Sequence, residues 1–202
     1  MPPSQPTPNT AHVDAVAEPA RPQRADGRRN QARVLEEAFA AFAAHGAAVP
    51  IREIARRAGV STGTVTRHFP TKEALFLAVA LHRIEHLVRR AEDITAREEP
   101  ATAFFAFFAL LVRQGAADHA VGDALTGAGF DLQAAASTAI SDFEAAMTSL
   151  LTTAQQAGVV RDDVDTADVK ALIAGCIARH DDGAAQQRMI EIACDGLRPR
   201  QA

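Results

Sequence analysis

Residues Ile51–Lys72 read IREIARRAGVSTGTVTRHFPTK, and this stretch decides the fold. Ala55 is small enough for two helices to cross closely over it. Gly59, four residues on, stands just past the first helix, where a left-handed backbone is cheap only for glycine. Ser61 suits the N-cap of a second helix, a contact worth about 1 kcal/mol. Val60 and Val65 turn inward, with Val65 aimed at Ile54 and Ala55. Phe69 closes the apolar side and Pro70 stops the helix. Thr62, Gly63, Thr64, Thr66, Arg67 and His68 are left facing outward, with little apolar surface to bury. Two short helices in this register form a helix-turn-helix, a motif that lays its second helix in a DNA major groove. An ordinary buried helix pair with a solvated face is the plain alternative. The joint register of alanine, glycine, cap and valine argues against it.

The stretch Arg28–Leu77 resembles the N-terminal domain of the TetR (tetracycline-repressor) family of bacterial regulators. The matching pieces are ARVLEEAFAAFAAHG (32–46), IREIARRAGVSTGTV (51–65) and HFPTKEALF (68–76). The run Ala120–Pro199, with QQAGVVRDDVDTADV and the following GLRPR, is similar to C-terminal domains of actinobacterial members. The resemblance implies an all-helical homodimer that binds a double-stranded DNA operator and releases it when a small molecule enters the second domain. It implies that Arg52, Thr62 and Gly63 face base edges, with Arg52 able to make a bidentate contact to guanine. Arg67 is a second candidate for a base or a phosphate. Thr64, Thr66, His68 and Lys72 would hold phosphates, Lys72 beside a helix N-terminus that also favours anions. Two positions depart from the family pattern. Thr66 stands where tyrosine is usual, and Pro50 stands near where a threonine or serine is usual.

Composition agrees with an all-α chain. Tryptophan and tyrosine are absent, and alternating strand-like runs are rare. The 202 residues can bury a substantial core. A net charge of −4 conceals a division: residues 21–93 carry 13 Lys and Arg against 8 Asp and Glu, whereas residues 94–202 carry 8 against 15. The basic charge therefore lies with the helix-turn-helix, and the acidic remainder discourages DNA from the wrong face. Cys176 and Cys194 form no metal-ligand pattern and read as reduced core residues of a cytoplasmic protein. No apolar run approaches the roughly 20 residues that span a bilayer, and no secretory segment is expected. No cofactor is called for.

Three regions are expected: a disordered tail over 1–25 with six of the ten prolines, a DNA-binding domain over 26–75, and an effector-binding and dimerisation domain over 76–202. Arg21, Arg24, Arg28 and Arg29 approach the first helix, either as an arm able to reach a minor groove or as no more than a solvated tail end. About nine helices are expected, near Arg28–His45, from Pro50, Thr62–Phe69, after Thr71, Ala101–Gln114, Ala120–Thr126, Asp131–Ala157, Thr166–Arg179 and Ala184–Leu197. Asp165 and Asp168 read as a capping pair.

The last two helices carry apolar stripes suited to pairing with a second copy, with an internal-core role alone as the rival; pairing would give two half-sites roughly 34–36 Å apart. An effector cavity within the second domain would have Phe105, Phe108, Phe130, Phe143 and Met147 as walls, with His119 or Gln114 supplying polarity. Plain core packing is the alternative for each of these side chains. A lipophilic or aromatic compound is the expected effector. The sequence thus reads as a ligand-responsive, dimeric regulator, foremost a repressor, with an activator or a ligand-independent regulator as the other options. From another class, His82-Arg83-Ile84-Glu85-His86 fits H-x-x-E-H, a zinc-protease pattern. Catalytic zinc needs a third protein ligand, and no suitable partner pattern follows, so no catalytic residue is assigned.

Overall fold

Alanine-rich amphipathic segments, separated by glycines and prolines, make nine helices and no strand among the residues that this computed structural model describes, 22–179 and 182–199. They are α1 (Pro22–His45), α2 (Ile51–Arg57), α3 (Thr62–His68), α4 (Lys72–Arg97), α5 (Pro100–Gly127), α6 (Leu132–Ala135), α7 (Ser137–Gln156), α8 (Thr166–Ile177) and α9 (Gly183–Leu197). Most of the expected tail lies outside the described residues, as does Arg21. Residues 22–25, assigned to that tail, instead begin α1.

Local chemistry sets most of the boundaries. Gly46, with φ +73, ends α1, and Gly158, with φ +69, follows α7. Thr71 caps α4 by accepting from the Ala74 N–H at 3.0 Å. Asp165 and Asp168 form a full capping box on α8: each carboxylate accepts from the other residue's N–H, at 2.9 and 3.0 Å.

Two helices expected at Ala101–Gln114 and Ala120–Thr126 are one continuous α5. Glycine inside a helix costs about 1 kcal/mol relative to alanine, which is too little to break it. Packing gives Gly115 a use there. A Cβ at this position would overlap Ile177 Cδ1 and lie 2.8 Å from its Cγ1, so the bare backbone lets α8 approach. Gly115→Leu should therefore lower the unfolding free energy by about 1–3 kcal/mol, through overpacking. Ile177→Ala in the same chain should return part of the loss. A denaturant midpoint unmoved by Gly115→Leu would reject this close approach.

The continuity of α5 also corrects the membrane reading. The 28-residue helix is long and apolar enough to cross a bilayer by length and composition alone. It lies instead at the centre of the bundle, with Phe104, Phe107, Phe108, Leu111 and Val112 buried and α4, α7, α8 and α9 around it. The long helix expected over Asp131–Ala157 is in turn two. Asp131 caps the single turn of α6, and the chain bends at buried Ala136 (φ −119, ψ 21) before α7 packs along α4.

There are two cores. The first gathers Val34, Leu35, Ala38 and Phe42 of α1 with Ile54, Ala55, Val65 and Phe69, and is completed by Leu75, Phe76 and Val79 of α4 and by Val121 and Leu125 of α5. The second joins Leu87 and Ala91 of α4 and the first half of α5 to α7, α8 and α9. Thus α4 and α5 run through both cores, and the expected boundary at residue 75 falls inside the first. Any movement of α4 against α5 is shared by both ends of the molecule.

Candidate DNA-reading surface and cavity

The turn between α2 and α3 is built from backbone. Gly59 has φ +64. Its N–H donates to the Arg56 carbonyl at 3.2 Å, and the Val60 N–H donates to Ala55 at 3.0 Å. This pair of bonds is a Schellman ending, which needs the left-handed residue at the glycine. Ser61 Oγ then accepts from the Thr64 N–H at 3.1 Å and caps α3. Val65 is fully buried and Phe69 nearly so, fixing one side of α3 to the core.

The other side of α3 is open. Thr62, Gly63, Thr66, Arg67 and His68 are exposed, as is Arg52 at the start of α2. Thr64 is half-buried, with its hydroxyl 2.8 Å from Ser61 Oγ. Thr66 turns its hydroxyl onto its own helix, donating to the carbonyls of Thr62 at 3.2 Å and Gly63 at 3.4 Å. Lys72 lies over the Phe76 ring, 5.8 Å from its centroid. Glu53 grips both Arg56 (2.7 and 2.9 Å) and Arg57 (2.9 Å). Hydrogen bonds from those two guanidinium groups hold its carboxyl down at about 2. Arg57 also reaches His45 Nε2 at 3.2 Å, tying α2 to the end of α1. Arg52 and Arg67 have no carboxylate partner among the described residues, so their charge is available to a phosphate or a base edge.

A cavity of about 600 Å³ opens between α4, α5, α7 and α8. Phe143 and Met147 line it, together with Leu87, Leu111, Ile173 and Ile177. The other three aromatic candidates stand elsewhere. Phe108 is buried in the second core. Phe105 carries the Arg198 guanidinium over its ring at 4.6 Å, and Phe130 packs edge-on against Phe76 at 6.0 Å. Of the two polar candidates, His119 stands at the wall, while Gln114 accepts from Arg83 at 2.6 Å. Asp118, Asp123 and Lys170 are further polar groups there; Lys170 is paired with Glu144 at 2.6 Å. Sequence reasoning missed the α8 wall, having given that helix to pairing or to the core and the cavity to the helices before it. The small residues Gly115, Ala116 and Gly122, all at the wall, were the available signal.

On the outer side of α8 and α9, Leu172 is 38% exposed and Ile192 64% exposed, flanking a groove lined by Ala171, Gly175 and Gly196. Cys176 and Cys194 are free thiols, both pushed up by burial. His82 and His86 are half-buried on α4. Burial, followed by Arg83, Arg89, Arg90 and His82, pulls His86 below its ordinary value. No group of three or more His, Cys, Asp or Glu is placed to hold a metal among the described residues.

Comparison with known proteins agrees with this geometry. Residues 34–79 match the family described as bacterial regulatory proteins, tetR family. Residues 99–199 match the C-terminal domain of SbtR-like transcriptional regulators. The crystal structure of a TetR transcription regulatory protein from Mycobacterium vanbaalenii is 48% identical, over 88% of this chain and 100% of that one, with a TM-score of 0.77. A TetR transcriptional regulator from Streptomyces coelicolor is 30% identical, over 84% of this chain and 98% of that one, with a TM-score of 0.73. The fold extends to an ArpA-like gamma-butyrolactone receptor, 23% identical over 86% and 90% of the two chains, with a TM-score of 0.62. Among curated proteins none matches at a significant level.

Proposed function

The chain belongs to the TetR family of bacterial transcriptional regulators, and from that premise we propose that it is a cytoplasmic, dimeric repressor released from a palindromic operator by a small lipophilic molecule. The observation that carries this reading is the pairing of an open, uncommitted α3 face with an apolar cavity, joined by α4 and α5. One end offers threonines and arginines to DNA, and the other offers Leu87, Leu111, Phe143, Met147, Ile173 and Ile177 to an apolar body. Its fold neighbour named as a gamma-butyrolactone receptor is in keeping with a small-molecule effector.

In this reading Arg52 reads a base, with Thr62 and Gly63 close to base edges and Arg67 at a base or a phosphate. Thr64, Thr66, His68 and Lys72 hold the phosphate backbone. Thr66 must give up its bonds to the Thr62 and Gly63 carbonyls to do so, which makes it the weakest of the four. Two α3 helices, one from each copy, would lie in successive major grooves on one side of the duplex. The copies would pair through the α8–α9 face that leaves Leu172 and Ile192 exposed.

The test uses a duplex carrying an inverted repeat from the DNA beside the coding region, and a scrambled duplex. Arg52→Ala should lose ~1–3 kcal/mol on the operator and relax selectivity at one base pair. Lys72→Ala should weaken both duplexes alike and reduce the salt slope by about 1. Equal loss on both duplexes for Arg52→Ala would refute its base-reading role.

A further inference from the structure

Arg83 stands at the waist between the two cores. It lies one turn beyond Val79, which belongs to the first core, and one turn before Leu87, which belongs to the second. Its guanidinium makes three kinds of contact at once. Nε and Nη2 grip the two carboxylate oxygens of Asp118 on α5, with the second bond at 3.0 Å. Nη2 also donates to Gln114 Oε1 at 2.6 Å, and the flat face lies 5.2 Å from the Phe39 ring of α1. A fork matching a carboxylate and a plane matching a ring are properties of arginine that lysine lacks. Both charged side chains are about three-quarters covered, at 21% and 25% exposure, so water screens the pair less than it would on the surface.

Asp118 is also a wall residue of the cavity. Gly122, one turn further along α5, lines the same cavity and has open space where a Cβ would stand. A single carboxylate therefore touches the cavity on one side and, through Arg83, the first helix of the reading head on the other. We propose that Arg83 is the positioning residue of this regulator: with Asp118 it holds α4 at the angle to α1 at which the two reading helices fit an operator together, and cavity occupancy acts by disturbing that grip. This rests on the ligand-responsive reading above. A rigid contact with two arrangements is what such coupling requires.

The experiment needs no effector, because a side chain can stand in for one. Gly122→Phe places a ring in the cavity beside Asp118. The parent first selects its operator from random duplexes. The parent, Gly122→Phe, Asp118→Asn and the double variant are then titrated against that operator and against an isolated half-site. Each single variant should lose about tenfold on the operator and less than twofold on the half-site. The double variant should lose no more than Asp118→Asn alone, since one grip can be broken once. Arg83→Lys, which keeps charge and bulk, runs in parallel and should follow Asp118→Asn; it carries the test if Asp118→Asn melts early. A purely structural role for Arg83 would lower half-site binding in step with operator binding, and that result overturns the proposal. So does operator affinity unchanged in Asp118→Asn or in Gly122→Phe, or a double variant in which the two losses multiply. A parent that selects no duplex overturns the regulatory reading itself, and the grip with it.

Discussion

Ile192→Asp is expected to yield a folded monomer that has lost operator binding by a factor on the order of 10²–10⁴, with half-site binding intact. The argument starts from exposure. Ile192 is 64% exposed in the single chain, so a carboxylate there removes little buried surface from the fold itself. The substitution acts where a second copy would sit. Small residues beside it, Gly175 on α8 and Gly196 on α9, leave room for another helix pair to approach closely. If dimerisation covers this face, each copy would carry an aspartate into a desolvated seam, and burying unpaired charge is strongly unfavourable. Once the copies separate, the second half-site no longer benefits from tethering to the first. Effective concentration accounts for the expected factor. Sedimentation should show a monomer at micromolar concentration, with helical content unchanged by circular dichroism. Leu172→Asp, one helix away, should behave alike. A dimer that persists in both variants would move the pairing surface elsewhere.

The parts of this molecule that were legible in the sequence are those fixed within four residues. Ser61 on Thr64, Thr71 on Ala74, Asp165 with Asp168 and the left-handed Gly59 are short-range arrangements, and each residue type carries its own reason. Gly115, just past the expected helix end at Gln114, is not of this kind. Its local meaning is a break, and only a side chain 62 positions away, Ile177, gives it another. Ala136 erred in the opposite direction. It sits in an alanine-rich run with neither glycine nor proline, so nothing local announces the bend that turns α7 along α4. The cavity was harder still. Helical spacing identifies a stripe but does not say which neighbour it meets. Phe143 and Met147 share a stripe and reach the cavity, whereas Phe105 meets Arg198 and Phe130 meets Phe76. The open face of α3 lay between these extremes: its outward residues follow from the inward placement of Val65 and Phe69 alone.

Phe42→Ala is expected to cost about 3–5 kcal/mol, a large part of the ~5–15 kcal/mol that stabilises a typical domain. Phe42 is fully buried, and its ring meets Phe76 edge-on, with centroids 5.1 Å apart and planes at 75°. Phe76 in turn meets Phe130 at 6.0 Å. The three rings link α1, α4 and the turn after α5, and the deletion removes the α1 end of that chain. The resulting cavity would lie in the first core, against the Phe76 ring. Because the first core is built mainly on α1–α3 and the second on α7–α9, the loss should fall first on the reading head, although α4 and α5 belong to both. Calorimetry should resolve two transitions where the parent shows one, the lower belonging to residues of α1–α3. Amide exchange should speed in those helices while α7–α9 keep their protection. DNA binding should weaken in proportion to the fraction of molecules whose head is folded, and should recover on cooling towards the temperature of maximum stability. Phe42→Leu, which keeps most of the volume, should show a fraction of each effect. A single transition at the parent's midpoint would mean that the head draws its stability from elsewhere, and the aromatic chain from Phe42 to Phe130 would lose its assigned role.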